Sequence, residues 1–457
     1  MKLMNRIFAV LLALCCLLSA CGAPQSEAEA NSGTTSGLSP SGAATDTSAP
    51  EPDAAEKRVQ TGFQWSYYET LEYETELVDL ERLGHGEPVL ICETEPIDWI
   101  KLDGREWHKE KVEIWGYDVR SFDISGEDLS DIEDPNSISF STRTIWPDAD
   151  KLPPDFDAEA ILELGKEPGL GIRALHEQGI TGEGVSIAII DQALYTDHEQ
   201  YRDNLMLYEC IHEMAADEAV MHGAAVSSIA VGKDTGVAPG AKLYYIASTF
   251  GEYTADGEYL FDASIMAQCI DRVLQINTQL SEDERIRVIS ISKGANPNST
   301  GFPELAAAIE QANEQGVLVL TTTTKVFYDG FNLWGMEREC MADPNDPVSY
   351  TPAAWVDYTG LGAVMNAINV PMGARTYASC AGATDYEWTG EGAMSWAVPW
   401  MAGFYALCCQ VEPELTPEQF IRVVNETSVL ELKNGELDYD YGRIIDPAAV
   451  IAALQDA

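Results

Sequence analysis

Positive charge is what this chain has least of: 27 lysines and arginines stand against 75 aspartates and glutamates, a formal net charge of −48 over 457 residues. A surface so acidic repels phosphate backbones, which excludes nucleic acid as a partner. The same charge aids solubility but names no substrate. Spanning hydrophobic runs are missing too, because the apolar start from Ile7 to Leu18 is shorter than the ~20 residues that cross a bilayer. Histidine is scarce, with six in all, and none shows the His-Glu-x-x-His spacing of a helical zinc site. The cysteines after residue 57 are Cys92, Cys210, Cys269, Cys340, Cys380, Cys408 and Cys409. They are odd in number and lack metal-type pairing, so most of them read as small buried hydrophobes rather than a disulfide framework. No cofactor is identified, and no motif supports structural calcium.

What is present begins with an export signal. Lys2 and Arg6 precede the apolar run, which ends Leu18-Ser19-Ala20-Cys21. That ending resembles the lipobox of bacterial lipoproteins, which implies cleavage before a lipid-modified Cys21 and an extracytoplasmic protein anchored to the cell membrane. Residues 1–20 are thus read as a signal peptide. Residues 21–57, rich in Ser, Thr, Gly, Ala and Pro without apolar period, are read as a flexible tether. From 58 to 154 come β-like runs at Pro88 to Cys92, Val112 to Tyr117 and Ile138 to Ile145, with acidic turns between them. No motif there carries chemistry, so the region is read as a small β-rich extension.

From 155 to 457 the pattern becomes an alternation of strands and helices. Helices are expected at Asp157 to Leu164, Leu170 to Gln178, Ala263 to Ile276 and Phe302 to Gln315. Strands are expected at Val185 to Ile190, Lys242 to Ala247, Val288 to Ser292 and Val317 to Leu320. This order implies a parallel sheet with helices on both faces. Thr416-Pro417-Glu418-Gln419 and Asp446-Pro447 are strong helix starts.

Three short stretches stand out. Val185 to Ile190 delivers Asp191 to the carboxyl end of a strand, where open α/β sheets place their ligand crevice. His222-Gly223-Ala224-Ala225-Val226 opens a helix of small residues, followed by Gly236-Val237-Ala238-Pro239-Gly240-Ala241. Gly392-Ala393-Met394-Ser395-Trp396-Ala397-Val398-Pro399 sets one hydroxyl on the first turn of an apolar helix, near the positive end of its peptide dipoles. His198 and His212 lie among acids and read as solvated loop residues.

These stretches resemble the aspartate, histidine and serine motifs of the subtilisin-like serine proteases, in the family's order. The Gly236 to Ala241 turn matches almost letter for letter. Departures occur at Gln192-Ala193, at Glu199, and at Ala393, Met394, Val398 and Trp400. The resemblance implies a three-layer α/β fold with a central parallel sheet. It also implies peptide-bond hydrolysis by Asp191, His222 and Ser395, with peptides or proteins as substrates. Ile289 to Gly294 resembles the edge strand that pairs with substrate backbone, making Ser292, Lys293 and Gly294 substrate-binding candidates.

Where relatives end a strand with the asparagine that donates to the oxyanion, this chain reads Thr321-Thr322-Thr323-Thr324-Lys325. Thr324 and Lys325 are the candidate replacements, since a hydroxyl or an ammonium can also stabilise an oxyanion. The expected function is a lipid-anchored serine endopeptidase. Its alternative is a weak or inactive relative that binds peptides at the cell surface.

Overall fold

The computed structural model describes residues 117–456 apart from 212–218, 254–258, 354–366, 429 and 434–439, and five short strands earlier in the chain. The export signal, Cys21, the tether and His212 lie outside the described residues. Lys57–Ala457 forms one compact unit.

The centre is a five-stranded parallel sheet. Its order is Leu318–Thr321, Ile286–Ile291, Ser186–Asp191, Lys242–Ala247, Leu205–Cys210. Ser186–Asp191 lies in the middle and is buried along its whole length, so an unbroken Ile/Ala run is what a strand covered on both faces requires. Flanking helices include Met221–Val231, Ala263–Asn277, Phe302–Glu314 and Met394–Val411. All five strands end toward one edge, which puts Asp191 and the residues just past Ile291 and Thr321 side by side.

Local chemistry sets the helix starts. Asp262 accepts from Ser264 N–H to cap Ala263–Asn277. Thr416 and Gln419 form a complete capping box ahead of Pro417–Thr427, and Asp446 caps Pro447–Gln455. Met394–Val411 starts without such help, as do Met221–Val231 and Phe302–Glu314, since its N-cap, Ala393, offers no side-chain acceptor. The Trp396 N–H turns back to Ala393 O at 2.8 Å, which leaves the Ser395 N–H with its hydrogen-bonding capacity for another partner.

That helix is the spine of the core. Met401, Phe404 and Leu407 are wholly buried, and each contributes about 1.5–3 kcal/mol. Gly403 lets it approach the Met221–Val231 helix and the turn after it, because a Cβ there would lie 2.7 Å from Val237 Cβ and 3.0 Å from Ala230 O. The close approach brings the helix carrying His222 against the helix carrying Ser395.

Two further five-stranded sheets flank this core. One is mixed, in the order Tyr350–Pro352, Leu333–Arg338, Ile368–Pro371, Asp440–Ile444, Leu430–Lys433. The other runs Arg375–Ala378, Tyr386–Thr389, Ile138–Ser141, Tyr117–Asp118, Val89–Leu90. The expected strand at Ile138 is thus shorter than read, and it pairs with a strand some 250 residues later, with Phe140 opposite Trp388. Of the expected strand from Val112 to Tyr117, all but Tyr117 lies outside the described residues.

Candidate active site

Asp191 is the last residue of the central strand and is almost fully buried. Its Oδ1 accepts from the Gln192 backbone N–H at 2.8 Å and faces His222 Nδ1 at 2.6 Å. A carboxylate can only accept, so Nδ1 carries the proton and Nε2 is left with its lone pair. The His222 side chain is 14% exposed, enough for one edge of the ring to meet a substrate. The strand supplies the rigid support and the helix start supplies the imidazole.

Ser395 is the second residue of Met394–Val411. Four residues on stands Pro399, which has no N–H, so the Ser395 carbonyl loses its helical partner. Ser292 takes that place, its Oγ donating to Ser395 O at 2.8 Å. In return Ser395 Oγ donates to Ser292 O at 3.4 Å, beyond the ordinary range for a hydroxyl donor. The Ser395 hydroxyl is therefore weakly held. The reciprocal serine pair explains why proline is tolerated at this point of the helix: the acceptor it orphans is satisfied from a neighbouring strand end.

Trp396 closes one side of the site. Its ring lies 5.3 Å from the His222 ring and 5.2 Å from Tyr377. The residue next to the serine thus touches the imidazole, which places Ser395 and His222 on adjoining surfaces. Trp396 had a sequence signal that motif matching passes over: it is a large ring in a run of small residues.

Buried phenols surround the Asp191 end. Burial, then the Asp191 charge, pushes the Tyr245 hydroxyl well above its ordinary value. It stays protonated and donates to Gln192 O, holding the residue whose N–H orients the aspartate.

Two sequence expectations need correction. Ile289 to Ile291 is no edge, because its strand pairs with Leu318–Thr321 on one side and Ser186–Asp191 on the other. Only Ser292, Lys293 and Gly294, past the last pairing, are left for a substrate, and Lys293 O already accepts from Thr322 N–H at 3.3 Å. His198 is not a solvated loop residue either. It is fully buried, with Nε2 at 2.8 Å from Asp385 O and Nδ1 accepting from Gln200 N–H at 3.2 Å. Its acidic neighbours in sequence hid that role, which depends on a hairpin almost 190 residues away.

The oxyanion candidates separate. Thr324 is buried, and its hydroxyl oxygen accepts from Leu333 N–H at 2.9 Å. Lys325 is exposed in the short turn Thr324–Val326. Neither is hydrogen-bonded to Ser395 or His222 among the described residues. The Ser395 N–H makes no hydrogen bond among the described residues, so one donor is ready. No group of three His, Cys, Asp or Glu side chains that could hold a metal ion occurs among the described residues.

Residues 182–330 match the model of the Subtilase family, a stretch that contains Asp191, His222, Ser292 to Gly294, Thr324 and Lys325 but stops short of Ser395. No curated protein matches. Among solved structures, the chain is similar to the prenylagaramide maturation protease PagA, at 16% identity over 62% of this chain and 98% of that one, TM-score 0.43. It is also similar to a cold-adapted subtilisin-like serine proteinase, at 18% identity over 58% of this chain and 89% of that one, TM-score 0.41.

Proposed function

We propose, from a chain that carries a Subtilase-family segment over residues 182–330, a serine endopeptidase whose triad is Asp191, His222 and Ser395. One observation carries the reading: the buried Asp191 Oδ1 to His222 Nδ1 contact at 2.6 Å, beside a serine at an uncapped helix start.

The chemistry follows from the donors and acceptors. Rotation of the Ser395 side chain away from Ser292 O presents Oγ to His222 Nε2. His222 Nε2 takes the hydroxyl proton as Oγ bonds to the scissile carbonyl carbon, and the carbonyl π electrons move to oxygen. Asp191 stabilises the imidazolium that forms. The Ser395 N–H donates to the new oxyanion. Collapse of the adduct expels the amine, which takes the proton from Nε2 and leaves an acyl-enzyme. Water then repeats the sequence and releases the acid. Lys325 is the second oxyanion donor in this reading, because the Thr324 hydroxyl is engaged with Leu333 N–H whereas the ammonium is exposed and mobile on its stem.

Peptides or proteins are the substrates, met by Ser292, Lys293 and Gly294. The enzyme belongs on the outer face of the bacterial cell membrane, held by acyl chains on Cys21, a reading supported by Leu18-Ser19-Ala20-Cys21.

The test is a fluorophosphonate probe on the purified protein. Labelling is expected at Ser395 and should vanish in Ser395→Ala and fall by orders of magnitude in His222→Ala. A second reading, an inactive peptide-binding relative, is favoured by the direction of Ser395 Oγ, which faces Ser292 O and makes no hydrogen bond to His222 among the described residues. Absence of labelling in folded wild type, with retained peptide binding, would select it.

A further inference from the structure

Residues ahead of the Subtilase-matched segment reach the loop that leads into Ser395. Ile138–Ser141 is the middle strand of its sheet, between Tyr386–Thr389 and Tyr117–Asp118. Phe140 and Trp388 are fully buried, with ring centroids 5.2 Å apart, in a second core that also holds Val119, Ile124 and Ile161. Ion pairs tie the same elements: Arg120 to Glu387 at 2.8 Å and Arg143 to Asp385 at 2.7 Å.

The strand Tyr386–Thr389 runs on into Gly390-Glu391-Gly392-Ala393 and so to Ser395. Gly390 is pressed against Asn136, since a Cβ at Gly390 would lie 2.1 Å from Asn136 O. The Asn136 side chain bridges the other wall of this loop: Nδ2 donates to Arg338 O at 3.1 Å, and Oδ1 accepts from Cys340 N–H at 2.8 Å. On that wall, Glu337 Oε1 accepts from Gly392 N–H at 2.9 Å. The nucleophile loop is thus clamped between Asn136 and the end of Leu333–Arg338.

We propose that the segment from Tyr117 to Ser141 is a permanent part of the working molecule, and that Asn136 is a positioning residue for the loop that sets Ser395. Cleavage during maturation, where it occurs, falls before Tyr117. The positioning role rests on the proposed peptidase reading, whereas retention of the segment does not.

The experiment has two arms on the full-length protein. In the first, the fluorophosphonate-labelled species and the core left by limited proteolysis are sequenced by mass spectrometry. Both should contain Tyr117 to Ser141, and a labelled species or core beginning after Tyr117 overturns the proposal. In the second, Asn136→Ala is compared with wild type by hydrogen exchange and kinetics. Amides from Gly390 to Trp396 should exchange about 10-fold faster while those of Ser186–Asp191 do not change. The kcat should fall about 10-fold at constant KM, with partial recovery in Asn136→Asp, which keeps the acceptor for Cys340 N–H. Unchanged exchange in folded Asn136→Ala overturns the positioning role. If wild type shows no labelling or hydrolysis, the peptidase reading fails, and the proteolysis and exchange readouts still decide this one.

Discussion

Replacing Asp191 by asparagine separates charge from orientation in this site. In many carboxylate-histidine pairs the amide can flip and force the wrong imidazole tautomer, which costs about 10⁴-fold. Here the same atom, Oδ1, meets both His222 Nδ1 at 2.6 Å and Gln192 N–H at 2.8 Å. A flipped asparagine would point its NH₂ at the Gln192 N–H, donor against donor, so the oxygen stays where Oδ1 was. His222 keeps its proton on Nδ1, and only the negative charge is lost. A unit charge about 4 Å from the imidazolium is worth about 4 kcal/mol at the effective dielectric of a partly buried site, or about 10³-fold in rate. Asp191→Asn should therefore lower kcat/KM on a fluorogenic peptide by about 10³-fold, and Asp191→Ala, which loses orientation too, by at least 10-fold more. Fluorophosphonate labelling rates at pH 8 should show the same order, with thermal melts confirming that both variants are folded. Equal losses in the two variants would refute the pinned-oxygen argument. An Asp191→Asn enzyme within about 10-fold of wild type would remove Asp191 from the triad.

Other expectations follow from single contacts. Lys325→Ala should lower kcat by about 10²-fold with KM little changed, and steady-state kinetics showing equal kcat would exclude the ammonium as the second oxyanion donor. Burial holds the His198 imidazole below its ordinary pKa, so the folded state keeps it neutral. The unfolded chain binds the extra proton below about pH 6.5, and stability is lost as pH falls, by at most about 1.4 kcal/mol per unit. Urea unfolding at pH 7.5 and 5.5 should therefore show a smaller pH loss in His198→Gln than in wild type, and identical losses would count against the burial argument. Ser292→Ala leaves Ser395 O without its donor and should lower stability by about 1–3 kcal/mol together with kcat; a variant matching wild type in both would show that the orphaned carbonyl finds another partner. In a bacterial host, Cys21→Ala should move the protein out of the membrane fraction, and unchanged retention there would refute the anchor.

Sequence by itself determined the elements whose signals are local. A short Ile/Ala run bounded by the Gly179 to Gly184 turn has the length of a doubly covered strand, so Ser186–Asp191 and its delivery of Asp191 were legible from the order of residues alone. The capping box at Thr416 was legible too, because both of its hydrogen bonds lie within four residues. Helices at Ala263–Asn277 and Phe302–Glu314 followed from apolar spacing. What tertiary structure decided depends on partners far apart in the chain. Whether Ile286–Ile291 is an edge depends on which strands flank it, and periodicity carries no neighbour list. Acids beside His198 suggest solvent, yet a hairpin from residue 385 onward buries it, because burial is a property of what packs above a residue. Pro399 in a helix looks like a defect until Ser292, 103 residues before Ser395, supplies the missing donor. Asn136 carries no motif at all, and its contact with Gly390 exists only because a strand of the early chain pairs with the one that runs on toward Ser395.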